Sequence, residues 1–172
     1  MRPAWLVLTL WLLSGCASTV PVAIREPVPA SPALAEVRKD LAAHVGREVR
    51  WGGTIAAVEN RPDTTVIEVV GRRLHAGGRP RSEDRSAGRF LVVVDGFLDP
   101  AVYGEGRQVT ARGTLAEPVT RDIGRYAYRF PVVEAGTLHL WPLPEEPRYD
   151  PYPPPWYHDP WYPYPHPYYP YW

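Results

Sequence analysis

The chain has 172 residues, with 19 basic and 19 acidic residues and a single cysteine, Cys16. A net charge of zero gives no electrostatic support for nucleic-acid binding, and one cysteine excludes an internal disulfide framework or a cysteine-based metal cluster. The 22 prolines are concentrated at the two ends of the chain. Between those ends lie about 110 residues, enough for one small domain with its own core.

Residues 1–15 have the features of a bacterial signal peptide. Arg2 gives a short positive start, and Ala4 to Leu13 is an apolar run too short to span a bilayer core of about 30 Å. The end of this run resembles a lipobox, in which cleavage precedes a cysteine that is then acylated with fatty acids such as palmitate: Leu13, Ser14, Gly15 and Cys16. Two or three acyl chains anchor a protein stably where one does not.

The residues after the cysteine predict a tether. A residue other than aspartate after the cysteine, here Ala17, resembles the sorting signal of outer-membrane lipoproteins. Three prolines between Ala17 and Ser31 favour polyproline II over helix or strand. At about 3.1 Å per residue, this stretch would hold a domain up to about 45 Å from the membrane. Residues 16–31 are therefore expected to link a lipid anchor to a domain at residues 32–142.

One short helix is predicted at the start of that domain. Ser31 and Pro32 suit its cap and first position, and Gly46 suits its end. Between them, apolar residues recur at helical spacing: Leu34, Val37, Leu41 and Val45.

From Arg47 the apolar pattern changes to a period of two, which is typical of strands. The first strand is expected to end before a turn at Asn60–Asp63, to bend or bulge at Gly52–Gly53, and to bury one face: Val49, Trp51, Gly53, Ile55 and Ala57. Four further strands and a short sixth are predicted at Thr64–Val70, Arg89–Val94, Arg107–Leu115, Tyr126–Glu134 and Thr137–Trp141. The unbroken apolar run of Arg89–Val94 favours a strand buried on both faces. The predicted fold is mainly β: a small five- to six-stranded antiparallel OB-like barrel with one short N-terminal helix.

Several stretches together resemble the Slp-type family of starvation-inducible outer-membrane lipoproteins. They are GRFLVVVDGFLDPAVYGEGRQVTARGTL (88–115), VRWGGTIAAVEN (49–60), TTVIEV (64–69), GRP (78–80), YAYRFPVV (126–133) and LHLW (138–141). The resemblance covers roughly residues 32–142 and does not include the aromatic tail. It implies a lipid-anchored protein of the outer membrane with its domain in the periplasm.

Two segments lie outside the regular pattern. Gly71–Ala87 is an arginine-rich loop, either a basic arm for anionic lipid headgroups or a solvated loop. Residues 143–172 form a tail in which Pro147–Trp172 holds ten prolines, eight tyrosines and three tryptophans. Such a composition predicts a disordered, extended chain whose aromatic faces suit interfaces. Its candidate contact residues are Tyr157, Trp161 and Tyr164.

The sequence shows no catalytic constellation, metal site or cofactor motif. The histidines lack metal-ligand spacing, and the carboxylates Asp95 and Asp99 lie in Asp-Gly and Asp-Pro pairs that are ordinary turn residues. Three arginines at polar strand positions and one loop tyrosine are the candidate binding residues of the barrel: Arg50, Arg112, Arg129 and Tyr103. On these grounds we expect a non-enzymatic envelope lipoprotein with a structural, stress-related or binding role. The alternative is a periplasmic module that binds a glycan, lipid or small ligand, on the barrel face or the tail, with an envelope protein or glycan as partner and no nucleic acid.

Overall fold

Five strands close into a barrel in the order β1-β2-β3-β5-β4 in the computed structural model, which describes residues 19–144. The strands are β1 (Glu48–Asn60), β2 (Thr64–Arg72), β3 (Arg89–Asp95), β4 (Gln108–Ile123) and β5 (Tyr126–Leu140). The prediction of a small, mainly β barrel is confirmed. One pair differs from the expected antiparallel arrangement, because β3 and β5 run parallel. The expected sixth strand is the end of β5.

Several predictions fall outside the described residues. These are the signal peptide, the lipobox and the aromatic tail, with Leu13, Ser14, Gly15, Cys16, Tyr157, Trp161 and Tyr164. Within residues 19–144, no helix is long and apolar enough to cross a membrane.

The barrel interior is filled by alternate residues of all five strands, as the period of two predicts. Trp51 and Phe90 are the largest side chains there, and their rings meet edge to face with centroids 5.4 Å apart. The other strand residues of this core are Val49, Ile55, Ile67, Val69, Val92, Val109, Ala111, Leu115 and Val133. The core face predicted for the first strand is thus largely confirmed.

A β-bulge changes the facing of β1 near its middle. The pairing with β2 shifts register between Ile55 and Ala57, so Ala57 is exposed and Val58 packs against the core instead. The bulge was expected at Gly52–Gly53. Those glycines serve close strand approach, since a β-carbon on Gly53 would overlap the Val70 carbonyl.

The β4–β5 hairpin is longer than predicted and folds over the outside of the barrel. Beyond a second register shift after Ala116, its strands continue to pair as far as Ile123 and Tyr126. This extension forms a small outer cluster of four buried residues: Val66, Leu91, Phe130 and Val132. Since Leu91 faces outward while Phe90 and Val92 face inward, β3 is buried on both faces, as predicted.

The single predicted helix is replaced by short turns. Helix α1 (Val22–Arg25) lies in the expected tether, α2 is Leu34–Val37, and a 3₁₀ turn follows at Ala42–His44. The predicted helix breaks because Asp40 Oδ1 accepts a hydrogen bond from the Ala43 amide at 3.2 Å and starts a separate turn. Leu34 and Val37 are buried against the barrel and hold α2 in place.

The expected tether is also packed rather than extended from Pro21 onward. Ile24 is fully buried and Val28 nearly so. The segment turns back at Ala30, whose backbone is left-handed (φ 53°) and whose carbonyl accepts a hydrogen bond from Arg47 at 3.0 Å. We refer to residues 21–35 as the N-terminal segment.

Candidate functional site

An apolar groove lies between the N-terminal segment and the adjoining ends of β1 and β2. Its volume is about 550 Å³, within the range of about 300–1,000 Å³ that is typical of small-molecule sites. Its lining includes Val28, Pro32, Leu34, Trp51, Arg72 and Leu74. The groove is therefore large enough for a small molecule, and most of these lining residues are apolar.

Trp51 holds the wall of the groove to the barrel. Its indole Nε1 donates a hydrogen bond to the Pro32 carbonyl at 3.0 Å, while its ring packs on Phe90. Gly71 leaves room for the Leu34 side chain, because a β-carbon at position 71 would overlap it. The tight fit of Leu34 and Pro32 gives the groove a fixed shape.

Two predicted binding residues, Arg50 and Arg112, hold the N-terminal segment on the barrel. They lie opposite each other on β1 and β4. Arg50 Nη1 donates to the carbonyls of Ile24 (2.9 Å) and Arg25 (2.7 Å), and Arg112 Nη1 donates to that of Ala23 (3.4 Å). These carbonyls lie at the C-terminal end of α1, where cations are favourable. The barrel face that was expected to bind a ligand is thus covered by the N-terminal segment, and both arginines form hydrogen bonds to that segment.

The positive charge of Arg50 and Arg112 is only partly balanced by a carboxylate. Arg112 Nε pairs with Glu48 at 2.8 Å. Burial, and to a lesser extent the Arg112 charge, lower the pKa of Arg50. The peptide carbonyls of α1 are therefore the main compensation for the Arg50 charge.

Arg72 gives the groove a polar group without a partner. Its Nη1 is buried and donates no hydrogen bond to any of the described residues. Arg72 lies opposite Gly52 across β1 and β2, so it shares a sheet face with a residue that has no side chain to meet it. An unsatisfied buried donor costs about 1–3 kcal/mol, and a ligand oxygen beside Arg72 would remove that cost.

The other two predicted barrel residues lie elsewhere. Arg129 is on β5 near the tip of the β4–β5 hairpin, opposite Thr120, and lines a second cavity. Tyr103 is half-buried in the β3–β4 loop and packs against the barrel core. The structure therefore brings Arg50 and Arg112 together and separates them from Arg129 and Tyr103.

The arginine-rich loop Gly71–Ala87 packs on the barrel rather than extending from it. A bridge between Leu74 and Pro80 closes its first half. Thr110, on β4, is fully buried, and its Oγ1 donates to the Gly78 carbonyl at 2.7 Å. Arg79 donates to Gln108 and to the Pro142 carbonyl. Part of the loop's positive charge is thus used for structural contacts.

The carboxylate pair of the β3–β4 loop has a turn geometry. Asp99 Oδ1 accepts the Ala101 amide at 2.8 Å, as expected for a turn residue. Within residues 19–144, no group of three or more His, Cys, Asp or Glu side chains is arranged to hold a metal ion. His139 stacks edge-on against Trp141, with centroids 4.6 Å apart, and burial lowers its pKa.

One family profile, that of the outer membrane lipoprotein Slp family, matches residues 13–172. The chain belongs to this family. The expected resemblance is therefore confirmed, and the match is wider than expected, since it begins at Leu13 and includes the aromatic tail. As a member of the Slp family, the protein is an outer-membrane lipoprotein.

Relatives agree with this assignment. The Slp-family chain is 35% identical over 150 residues to the uncharacterized lipoprotein YeaY of Escherichia coli (strain K12), covering 86% of this chain and 76% of that protein. It is 28% identical over 147 residues to the outer membrane protein Slp of the same strain, covering 84% and 78%. A small single-stranded DNA-binding protein from Streptomyces coelicolor overlaps with 55% of this chain and 94% of its own, at a TM-score of 0.35 and 12% identity.

Sequence reasoning missed the groove and the role of Arg72. One wall of the groove exists only because residues 27–35 pack on the barrel. The sequence pattern predicts that this stretch is the end of a tether and the start of a helix. A signal was present in Ile24 and Val28, apolar residues that a solvated tether does not need.

Proposed function

We propose that this Slp-family protein is a non-enzymatic, lipid-anchored binding protein of the cell envelope, with acylated Cys16 as its anchor and its barrel in the periplasm. The groove would take a single-chain amphiphile with an acidic head group. Of the roles expected from sequence, the groove favours binding over a purely structural one. The observation that carries the proposal is an apolar groove of about 550 Å³ lined by Arg72, whose buried Nη1 has no hydrogen-bond partner among the described residues.

The chemistry of the groove fits such a ligand. Val28, Leu34 and Leu74 offer apolar surface to an acyl chain, at about 0.8 kcal/mol per buried CH₂. A carboxylate or phosphate head accepts the hydrogen bond that Arg72 Nη1 lacks, and such charge-assisted bonds are strong. A neutral apolar ligand would leave that donor unsatisfied.

The packing of the N-terminal segment supports a location near lipid. With the anchor at Cys16, four residues lie between it and Pro21, so the five residue steps span at most about 18 Å. This is far shorter than the reach of an extended tether to residue 31. A barrel held that close has its groove within reach of the membrane surface.

Binding of a fluorescent fatty acid, 11-(dansylamino)undecanoic acid, to the full chain in detergent tests the groove. Ala35 is exposed and lines the groove, so Ala35→Trp fills it without disturbing the core. We expect this variant to weaken probe binding at least about tenfold. The matched control is Ala43→Trp, an exposed site outside the groove. Equal effects of the two variants, or no binding by the parent protein, would refute the groove as the site.

Displacement of the probe by dodecanoate and by dodecanol tests the acidic head group. The parent protein should prefer dodecanoate, and Arg72→Gln should remove a preference of about tenfold, as expected for one charge-assisted bond. Arg81→Gln, an exposed arginine of the same loop, is the control. A preference that survives Arg72→Gln would contradict the role of Arg72.

The anchor is tested separately. Cells fed radiolabelled palmitate should label the parent protein and leave Cys16→Ser unlabelled and outside the membrane fraction. Label that persists in Cys16→Ser would place acylation elsewhere.

A further inference from the structure

A second cavity lies on the other side of α2, away from the groove. It has a volume of about 420 Å³ and lies between residues 38–42 and the first residues of β5, 126–129. We call it the basin, and its lining includes Arg38, Lys39, Asp40, Tyr126, Tyr128 and Arg129. The proposed function makes no use of it.

The basin is strongly cationic, and most of its charge is available. It holds three cationic side chains and one carboxylate. Among the described residues, the side chains of Lys39 and Arg129 have no hydrogen bond or ion pair. Two cations without carboxylate partners in the lining of one cavity favour an anionic ligand.

The walls of the basin are fixed in place. Arg38 Nη1 donates to the Ala87 carbonyl at 3.1 Å, and Arg38 Cζ lies 5.1 Å from the centre of the Tyr128 ring. The Tyr128 hydroxyl accepts the Arg89 amide at 2.9 Å, and its ring packs on Phe130. A ligand that enters therefore meets a preformed surface, which reduces the entropy lost on binding.

The remaining groups narrow the class of ligand. Tyr126 is 70% exposed and offers a flat apolar ring at the rim. Asp40 brings a carboxylate that accepts hydrogen bonds from hydroxyl groups and repels a bare anion. A simple phosphate needs neither group, whereas a sugar ring has an apolar face for Tyr126 and hydroxyls for Asp40.

We infer that the basin binds an anionic saccharide, a sugar ring that carries a phosphate or carboxylate group. The anionic group contacts Arg129 and Lys39, the ring lies on Tyr126, and a hydroxyl donates to Asp40. This site is independent of the groove and of the amphiphile proposed for it.

Titration calorimetry of the full chain in detergent with glucose 6-phosphate, glucose and inorganic phosphate tests the inference. Glucose 6-phosphate should bind more tightly than either component alone. Arg129→Gln and Tyr126→Ala should each weaken it about fivefold to tenfold, as expected for one charge-assisted bond or one lost ring contact. Arg125→Gln, an exposed arginine of the same hairpin tip outside the basin, should change it less than about twofold.

Three outcomes would overturn the inference. Inorganic phosphate that binds as tightly as glucose 6-phosphate would reduce the basin to an anion site. Equal losses in Arg125→Gln and Arg129→Gln would indicate general electrostatics rather than a site. Binding to phosphatidylglycerol vesicles that requires Arg129, with no binding of glucose 6-phosphate, would assign the surface to the membrane instead. Since Ala35→Trp leaves the basin intact, failure of the groove experiment does not affect this one.

Discussion

The groove and the basin lie at opposite ends of one short stretch, residues 33–42, and they differ sharply in polarity. The start of the stretch contributes Leu34 and Ala35 to an apolar groove, and its end contributes Arg38 to Asp40 to a cationic basin. Leu34 and Val37 are buried in the barrel core, and the half-buried Leu41 packs against it. A few apolar side chains therefore hold in place a segment that lines two cavities of different polarity. The following predictions test whether the two cavities are physically separate.

The largest effect is expected from Trp51→Ala. The change removes a core ring and its hydrogen bond to Pro32, so the free energy of unfolding should fall by about 3–5 kcal/mol. Urea denaturation measures the loss, and fatty-acid binding in the groove should disappear while glucose 6-phosphate binding in the basin persists below the transition.

Trp51→Phe is the control for this prediction. It keeps an aromatic ring beside Phe90 and leaves the Pro32 carbonyl without its donor, so the loss should be smaller, about 1–2 kcal/mol. A loss under about 1 kcal/mol in Trp51→Ala would show that the groove wall is not part of the core.

Ile24→Ala should have the next largest effect. The Ile24 side chain, in the N-terminal segment, is fully buried. The free energy of unfolding should fall by about 2–3 kcal/mol. This is the lower part of the usual range for such a change, because a short segment can detach without unfolding the barrel. Hydrogen exchange should quicken at the amides of Arg25 and Glu26 and stay slow in β3. Val22→Ala, at a residue 53% exposed, should have little effect. Equal quickening in β3 would mean that the segment and the barrel unfold as one unit.

Tyr128→Phe addresses the basin alone. Loss of the hydroxyl leaves the Arg89 amide without its acceptor, so stability should fall by about 1 kcal/mol. Thermal unfolding measures the change, and fatty-acid binding in the groove should not alter. Tyr126→Phe removes a hydroxyl from an exposed ring and is the matched control. A change in groove binding in Tyr128→Phe would show that the two cavities are coupled through α2.

The smallest effect concerns acid stability on the side of the barrel that carries the arginine-rich loop. Burial lowers the pKa of His139 in the folded protein, whereas a free histidine titrates near about 6.5. Below that pH the unfolded chain binds a proton that the folded protein does not, so stability falls as the pH drops. His139→Phe should therefore lose less thermal stability than the parent between about pH 7 and pH 5.5.

His139→Leu gives a second variant without a titrating ring. Both variants should show the reduced acid sensitivity, although only the phenylalanine can keep the edge contact to Trp141. An unchanged pH dependence in both would remove His139 as a cause.

The starts of the strands were predictable from sequence to within one residue, because each barrel strand buries alternate side chains. Val109, Ala111 and Leu115 follow that rule without exception, and the apolar run around Phe90 correctly indicated burial on both faces. The pattern failed at Ala57, where a bulge reverses the facing, and beyond Leu115, where the hairpin continues outside the core. A period of two reports which residues share a face only while the register holds.

The candidate sites were less predictable. Arg50, Arg112 and Arg129 look alike in sequence, each at a polar strand position, yet two fasten a covering segment and one lines an open basin. Nothing in their neighbours along the chain distinguishes them, since the difference comes from residues about 25 to 90 positions away.

The family and the barrel could be recognised from the amino-acid sequence alone, because both depend on local patterns: the ordered stretches that resemble the Slp family, the alternation of apolar residues and the turn residues between strands. The course of the N-terminal segment and the two cavities became visible only in the folded protein. Proline content indicated an extended tether, but burial of Ile24 and Val28 outweighs that local preference once a barrel face is present to receive them. Local preference sets what a segment does alone, and burial against distant residues sets where it lies in the folded protein.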